Sequence, residues 1–231
     1  MIKENEKLKV NGRWRIYELS DDYKEKKLVR EQNNIPCDGL LGTITALFNG
    51  SGDSNDTLEC KYLAVGTKNQ TPSSAFTTLG TELARKAISD KTITTTTYTG
   101  SVIFGKTEGN CTQTTCVTDT TNTVDTFKVA TVAGFNVGDE LQVGLGTGYE
   151  YVAISAKDTT NTTLSVTPSL STIPPDSTVT VDQLWQEAGC FGNGDADSTA
   201  NSGHLFNYVT AIKYLKTSAN PVNLELVFTV S

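Results

Sequence analysis

The stretch TITTTTYTG, residues 92–100, places six threonines in nine positions. It limits the fold more than any other feature of the chain. Threonine branches at Cβ, which restricts χ1 and favours the pleated backbone over the helix. The same texture returns in TDTTNTVDT (118–126). Hydrophobic residues are 37% of the chain and charged residues 19%, so threonine fills positions that an ordinary globular enzyme gives to charge and apolar bulk. The expectation is an all-β protein. Its 231 residues suffice for one large domain or two small ones.

Side-chain period locates the elements. RWRIYEL (13–19) alternates apolar and polar residues, as a half-buried strand does. IPCDGLLGTITALFNG (35–50) instead sets Leu40, Leu41, Ile44, Leu47 and Phe48 at helical spacing. Asp38 would cap its start and Gly50 its end. SGDSND (51–56) is turn chemistry and LECKYLAVGT (58–67) another strand.

AVGTKNQTPSSAFTTLGTELARKA (64–87) then raises the question of a phosphate loop. Such a loop needs clustered glycines and a Gly-Lys-Ser/Thr at a helix start. Here only Gly66 and Gly80 occur, with Pro72 and Phe76 between them. The stretch reads as a connector that ends in a helical turn, LGTELARKA (79–87). TITTTTYTGSVIFGKT (92–107) follows as one long strand.

From residue 107 the texture changes. GNCTQTTCVTDTTNT (109–123) is too polar to bury anything, and it leads into five expected strands at 124–132, 139–145, 149–157, 163–167 and 178–183. Turn-forming separators at this spacing indicate a small barrel or sandwich. LWQEAGCF (184–191), HLFNYVTAIKYL (204–215) and NLELVFTVS (223–231) restore apolar strands around the loop GNGDADSTANSG (192–203). The last strand puts Leu224, Leu226 and Phe228 on one face. The expected architecture is a β-sandwich host, 1–106 plus 184–231, with one or two short helices and an inserted small β-domain at 107–183.

Charge and chemistry narrow the function. A net charge of −7 repels a nucleic-acid backbone over most of the surface, and the basic run YKEKKLVR (23–30) is diluted by acidic neighbours. MIKENEKLKV at the start lacks an apolar h-region, so no signal peptide is expected, and no run reaches a membrane span. Five cysteines, Cys37, Cys60, Cys111, Cys116 and Cys190, are an odd set. A local Cys111–Cys116 disulfide and free thiols both remain open, while a zinc site lacks ligands because His204 is the one histidine.

Few groups invite catalysis. Cys190 with His204 is the one nucleophile–base pairing on offer, across a glycine-rich loop. Glu187 with Asp195 or Asp197 is the nearest carboxylate grouping for glycoside cleavage. NGDADS (193–198) mimics a calcium loop but lacks the downstream bidentate glutamate. The sequence thus predicts no catalytic, metal or cofactor residues. Tyr149, Tyr151 and the GLGTG loop (144–148) form the one candidate platform for a host-surface glycan.

LLGTITALFNG, LECKYLAVGTKNQTPSSAFTTLGTELARKAI, LWQEAGCF and YLKTSANPVNLELVFTVS together resemble a pattern in virion structural proteins of tailed bacteriophages. In that family a Thr-rich strand runs directly into the Trp-Glu strand, whereas here residues 107–183 intervene. The insert is itself similar to small β-modules of phage particle proteins. The resemblance implies a non-enzymatic tail, neck or fibre component that forms homo-oligomers and contacts other virion proteins, assembled in the bacterial cytoplasm and located in the virion. It implies that Gly66 frees the chain to turn, and that Leu79, Leu83 and Ala84 dock a short helix. Glu82 and Arg85 would point outward or pair, beside Glu187 of the Trp-Glu motif. Trp185 and Phe191 would anchor the core.

Overall fold

The computed structural model describes residues 10–41, 58–146, 148–175 and 179–230. The chain is all-β, in three antiparallel sheets. The first contains β1 (Val10–Leu19), β2 (Lys26–Asn33), β6 (Asp90–Ile93), β7 (Thr97–Phe104) and β16 (Val222–Val230), in the order β2-β1-β16-β7-β6. The second contains β3 (Ile35–Pro36), β4 (Cys60–Gly66), β5 (Glu82–Ala87), β14 (Trp185–Gly192) and β15 (His204–Tyr214), in the order β3-β15-β14-β4-β5. Alternation decides which residues lie between them. Trp14, Ile16, Val102, Phe104, Leu224 and Leu226 of the first sheet meet Leu63, Val65, Trp185, Ala188 and Cys190 of the second in one core.

The second sheet is apolar on both faces. Its other side carries Ala64, Leu79, Phe191, Leu205 and Tyr208 in a separate cluster, with Phe76 packed against it. Strand β14 is therefore buried at every position, which explains why EAGCF shows no alternation. A strand wetted on one face would need polar residues there.

The third sheet, β8-β13-β10-β11-β12-β9, is built wholly from the middle of the chain. Its strands are β8 (Gln113–Thr115), β9 (Thr126–Lys128), β10 (Glu140–Gly144), β11 (Tyr149–Asp158), β12 (Thr163–Thr167) and β13 (Thr180–Gln183). The two edges approach through a Cys116–Val129 bridge. Val117 N donates to Lys128 O at 2.8 Å and Ala130 N to Thr115 O at 2.9 Å. The sheet thereby curls into a small barrel around Phe127, Phe135, Leu141, Val152, Ile154, Leu164 and Val181, leaving few open strand edges.

Four expectations are corrected. Residues 82–87 form an edge strand paired with β4 rather than a helical turn. The run 92–107 is not one strand: it starts in the last residues of β6, turns between Thr94 and Thr97, and continues as β7. The polar run 109–123 does bury residues. Cys111, Thr114 and Cys116 are all buried, and β8 closes the barrel. Cys111 and Cys116 are free thiols in different cores, one between the host sheets and one in the barrel. Burial pushes these thiols up to about 12 and about 11. The expected 35–50 helix is helical at 38–41; its remainder, with Ile44, Leu47, Phe48 and Gly50, and the SGDSND turn lie outside the described residues.

Candidate functional site

The motif residues converge on the outer face of the second sheet. Glu187 is fully buried there, and its carboxylate accepts four hydrogen bonds. Oε1 accepts from Thr81 N at 3.0 Å. Oε2 accepts from Gly80 N at 3.1 Å, Gln70 Nε2 at 2.9 Å and Tyr208 Oη at 3.1 Å. The 64–87 stretch thus does grip an anion with consecutive backbone amides, and the anion is a side chain of the same molecule. Burial pushes the Glu187 carboxyl up from its ordinary range, while these donors pull it back.

Gly66 has a role other than the expected turn. A Cβ there would lie 2.5 Å from Glu187 Oε1 and 2.5 Å from Thr81 O. Glycine is needed because the clasp closes against the backbone.

Beside it, Glu82 and Arg85 form a buried ion pair. Arg85 Nε donates to Glu82 Oε1 at 2.6 Å and Nη2 to Oε2 at 2.8 Å, with side chains only 4% and 3% exposed. The fork geometry suits a bidentate guanidinium–carboxylate pair. Arg85 Nη1 also donates to Asp197 O, Ser202 O and Ser202 Oγ, and the guanidinium lies 4.3 Å from the Phe191 ring centre. Glu82 Oε2 accepts from Asn201 N at 2.9 Å. The pair therefore straps the 192–203 loop onto the sheet. Asp197 serves that loop locally, accepting from Thr199 N at 2.7 Å.

Of the predicted residues, Gly66, Leu79, Glu82, Arg85, Glu187 and Phe191 share this face. Leu83 packs partly into the core between the host sheets, and Trp185 lies wholly within that core. Cys190 pairs across the sheet with Asn207, while His204 pairs with Gly192. Cys190 is fully buried and lifted far above the ordinary thiol range by that burial, so the two are not set up as nucleophile and base. The basic run 23–30 lies largely on β2, where Arg30 donates to the Ile212 and Lys213 carbonyls.

Sequence reasoning missed the joint between the barrel and the host sheets. Asp139 is fully buried there; it accepts from Thr67 Oγ1 at 2.6 Å, Gln183 Nε2 at 2.6 Å and Asn136 N at 2.7 Å. Asn69 N donates to Gly138 O at 2.7 Å. Glu140 pairs with Lys213 at 3.3 Å and accepts from Asn69 Nδ2 at 2.5 Å. The one signal in the sequence was polar composition at GTKN (66–69) and GDE (138–140), which is indistinguishable from turn chemistry.

Burial raises the Asp139 carboxyl above its usual value of 3.8. The native state then holds a proton more readily than the unfolded chain. This contribution to stability is fully present below the unfolded value and is lost as pH rises through the raised one. Acidification from about pH 7 to about pH 4 should make the wild type gain on Asp139→Asn in denaturant unfolding. A wild type that loses ground to the variant over that window would refute the assignment.

No family model matches the chain, and no curated protein does. Among solved structures the chain aligns with VP17, a capsid protein of bacteriophage P23-77, at 9% identity over 76% of this chain and 83% of that one, with a TM-score of 0.18. A likeness of that degree carries no argument about fold or function.

Proposed function

We propose that the chain is a non-enzymatic structural component of a tailed-phage virion, of tail, neck or fibre type, that works as a homo-oligomer among other virion proteins. The observation that carries this reading is the fate of the family-like motif residues. They close two long loops onto a sheet, with their polar groups satisfied inside the molecule. Glu187, the acid in the best carboxylate grouping, has four donors and no exposure, an arrangement suited to holding a surface in shape rather than to proton transfer. The outer face of the first sheet carries Thr97, Thr99 and Thr229 beside the ion pairs of Arg15 and Lys26 with Glu225, a polar surface suited to repeated contacts in a symmetric assembly. Proteomic analysis of purified particles, together with native mass measurement of the isolated protein, tests the reading. Absence from virions overturns it, and a strictly monomeric protein removes the homo-oligomer.

A second reading places a neutral glycan on the barrel. Tyr149 and Tyr151 project from the same face of β11 and are 60% and 43% exposed. Depressions of 340 and 440 Å³ border Tyr149, lined by Gly144, Gly148 and Thr180 on one side and by Glu150 and Ser171 on the other. A glycan array with Tyr149→Ala as control separates the two readings.

A further inference from the structure

The geometry points to a covalent cross-link: Lys216 and Asn110 form an intramolecular isopeptide bond, made by the folded chain without another reactant. Lys216 is fully buried, and among the described residues no carboxylate forms an ion pair with it. Its Nζ donates to Asn110 Oδ1 at 2.9 Å and to Thr217 O at 2.6 Å. The amine therefore lies against the amide carbonyl that it would attack. Asn110 Nδ2, the leaving nitrogen, is turned the other way and donates to Lys106 O at 2.8 Å. The two chain segments are held side by side, because Cys111 N donates to Lys216 O at 2.8 Å.

The chemistry follows from burial. An ammonium withdrawn from water loses its hydration, so the neutral, nucleophilic amine is favoured; burial does lower the Lys216 amine from its ordinary value. The reacting form is the neutral Lys216 amine, its ammonium having first given one proton to solvent. The amine's electron pair then attacks Asn110 Cγ, forming the new C–N bond. The attacking nitrogen, which carries two hydrogens after the C–N bond forms, passes one of them to Nδ2; the old C–N bond then breaks, and ammonia leaves with the bonding pair. Holding both reactants in one place removes the entropic barrier that makes amide exchange slow in solution.

The bond ties the start of the segment leading into the barrel, after β7, to the connection between β15 and β16. A load applied to the barrel would then pass into the host sheets through a covalent link.

Intact-mass measurement of the purified full-length chain reads the outcome directly. The wild type should be about 17 Da lighter than its sequence, the mass of one ammonia. Digestion should yield a branched peptide joining the segments around residues 110 and 216. Asn110→Ala and Lys216→Arg should each restore the full sequence mass. Deamidative cyclisation to a succinimide at an Asn-Gly pair such as Asn193–Gly194 would also release ammonia, but it would persist in Lys216→Arg and give no branched peptide. A wild type with the full sequence mass, or a mass loss that survives Lys216→Arg, overturns the proposal. The wild-type measurement holds whether or not the variants fold.

Discussion

Replacing Trp185 with alanine is expected to destabilise the protein by about 3–5 kcal/mol, the range for removing a large buried aromatic. Trp185 is fully buried between the two host sheets. It packs edge-on against Phe104 at 5.3 Å and Tyr214 at 5.6 Å. Its Nε1 donates to Gly109 O at 2.7 Å, so truncation opens a cavity and also orphans a carbonyl at the entry to the inserted barrel. For a chain of this length the loss corresponds to a melting temperature lower by roughly 10 °C. Trp185→Phe should recover much of the packing but not the hydrogen bond. Thermal unfolding followed by circular dichroism checks the series. A Trp185→Ala protein that melts with the wild type would show that the two sheets do not close around this residue.

Arg85→Ala should be comparably severe, at about 3–5 kcal/mol, because it strands the Glu82 carboxylate in a buried site with one backbone donor. Desolvating a charge is costly, and its partner is what makes Glu82 tolerable there. The effect has a second readout in the 192–203 loop, since Arg85 Nη1 holds the Asp197 and Ser202 carbonyls. Limited proteolysis should therefore cut the variant within that loop before the sheets unfold. The double replacement Glu82→Met with Arg85→Met tests the physics separately. Removing both charges leaves no unpaired ion, so the double variant should be more stable than Arg85→Ala. Equal losses in the two would mean that the pair's charge is not what the site accommodates.

Much of the architecture was legible because it rests on local period. Strands β1, β4, β14, β15 and β16 stand where alternation or a short apolar run put them, and four of the five strands expected in the insert match β10 to β13 closely. The failures have separate causes. ELARKA (82–87) is composed of good helix formers, yet it pairs with Cys60–Gly66 along its length, and those sheet hydrogen bonds outweigh a propensity difference of a few tenths of a kcal/mol per residue. The hairpin at 94–97 went unseen because threonine occupies both its strands and its turn, so composition marks no boundary. QTT (113–115) looked too polar to be structural; as the strand that closes a barrel, it needs backbone hydrogen bonds more than apolar side chains.

The clasp was legible only as a set of letters. Gly66, Glu82, Arg85, Glu187 and Phe191 were singled out, but their partners were not. Glu187 meets the Thr81 amide across 106 residues of chain, and Asp139 meets Thr67 across 72. Side-chain period and β-branching are properties of adjacent residues, so the sequence alone determined that the chain is all-β and which faces are apolar. Which carboxylate fills which cradle of amides depends on how the sheets stack, and stacking is set by the shape of the whole core. Only the tertiary structure could decide that the loop resembling a phosphate grip would close on a glutamate of its own chain.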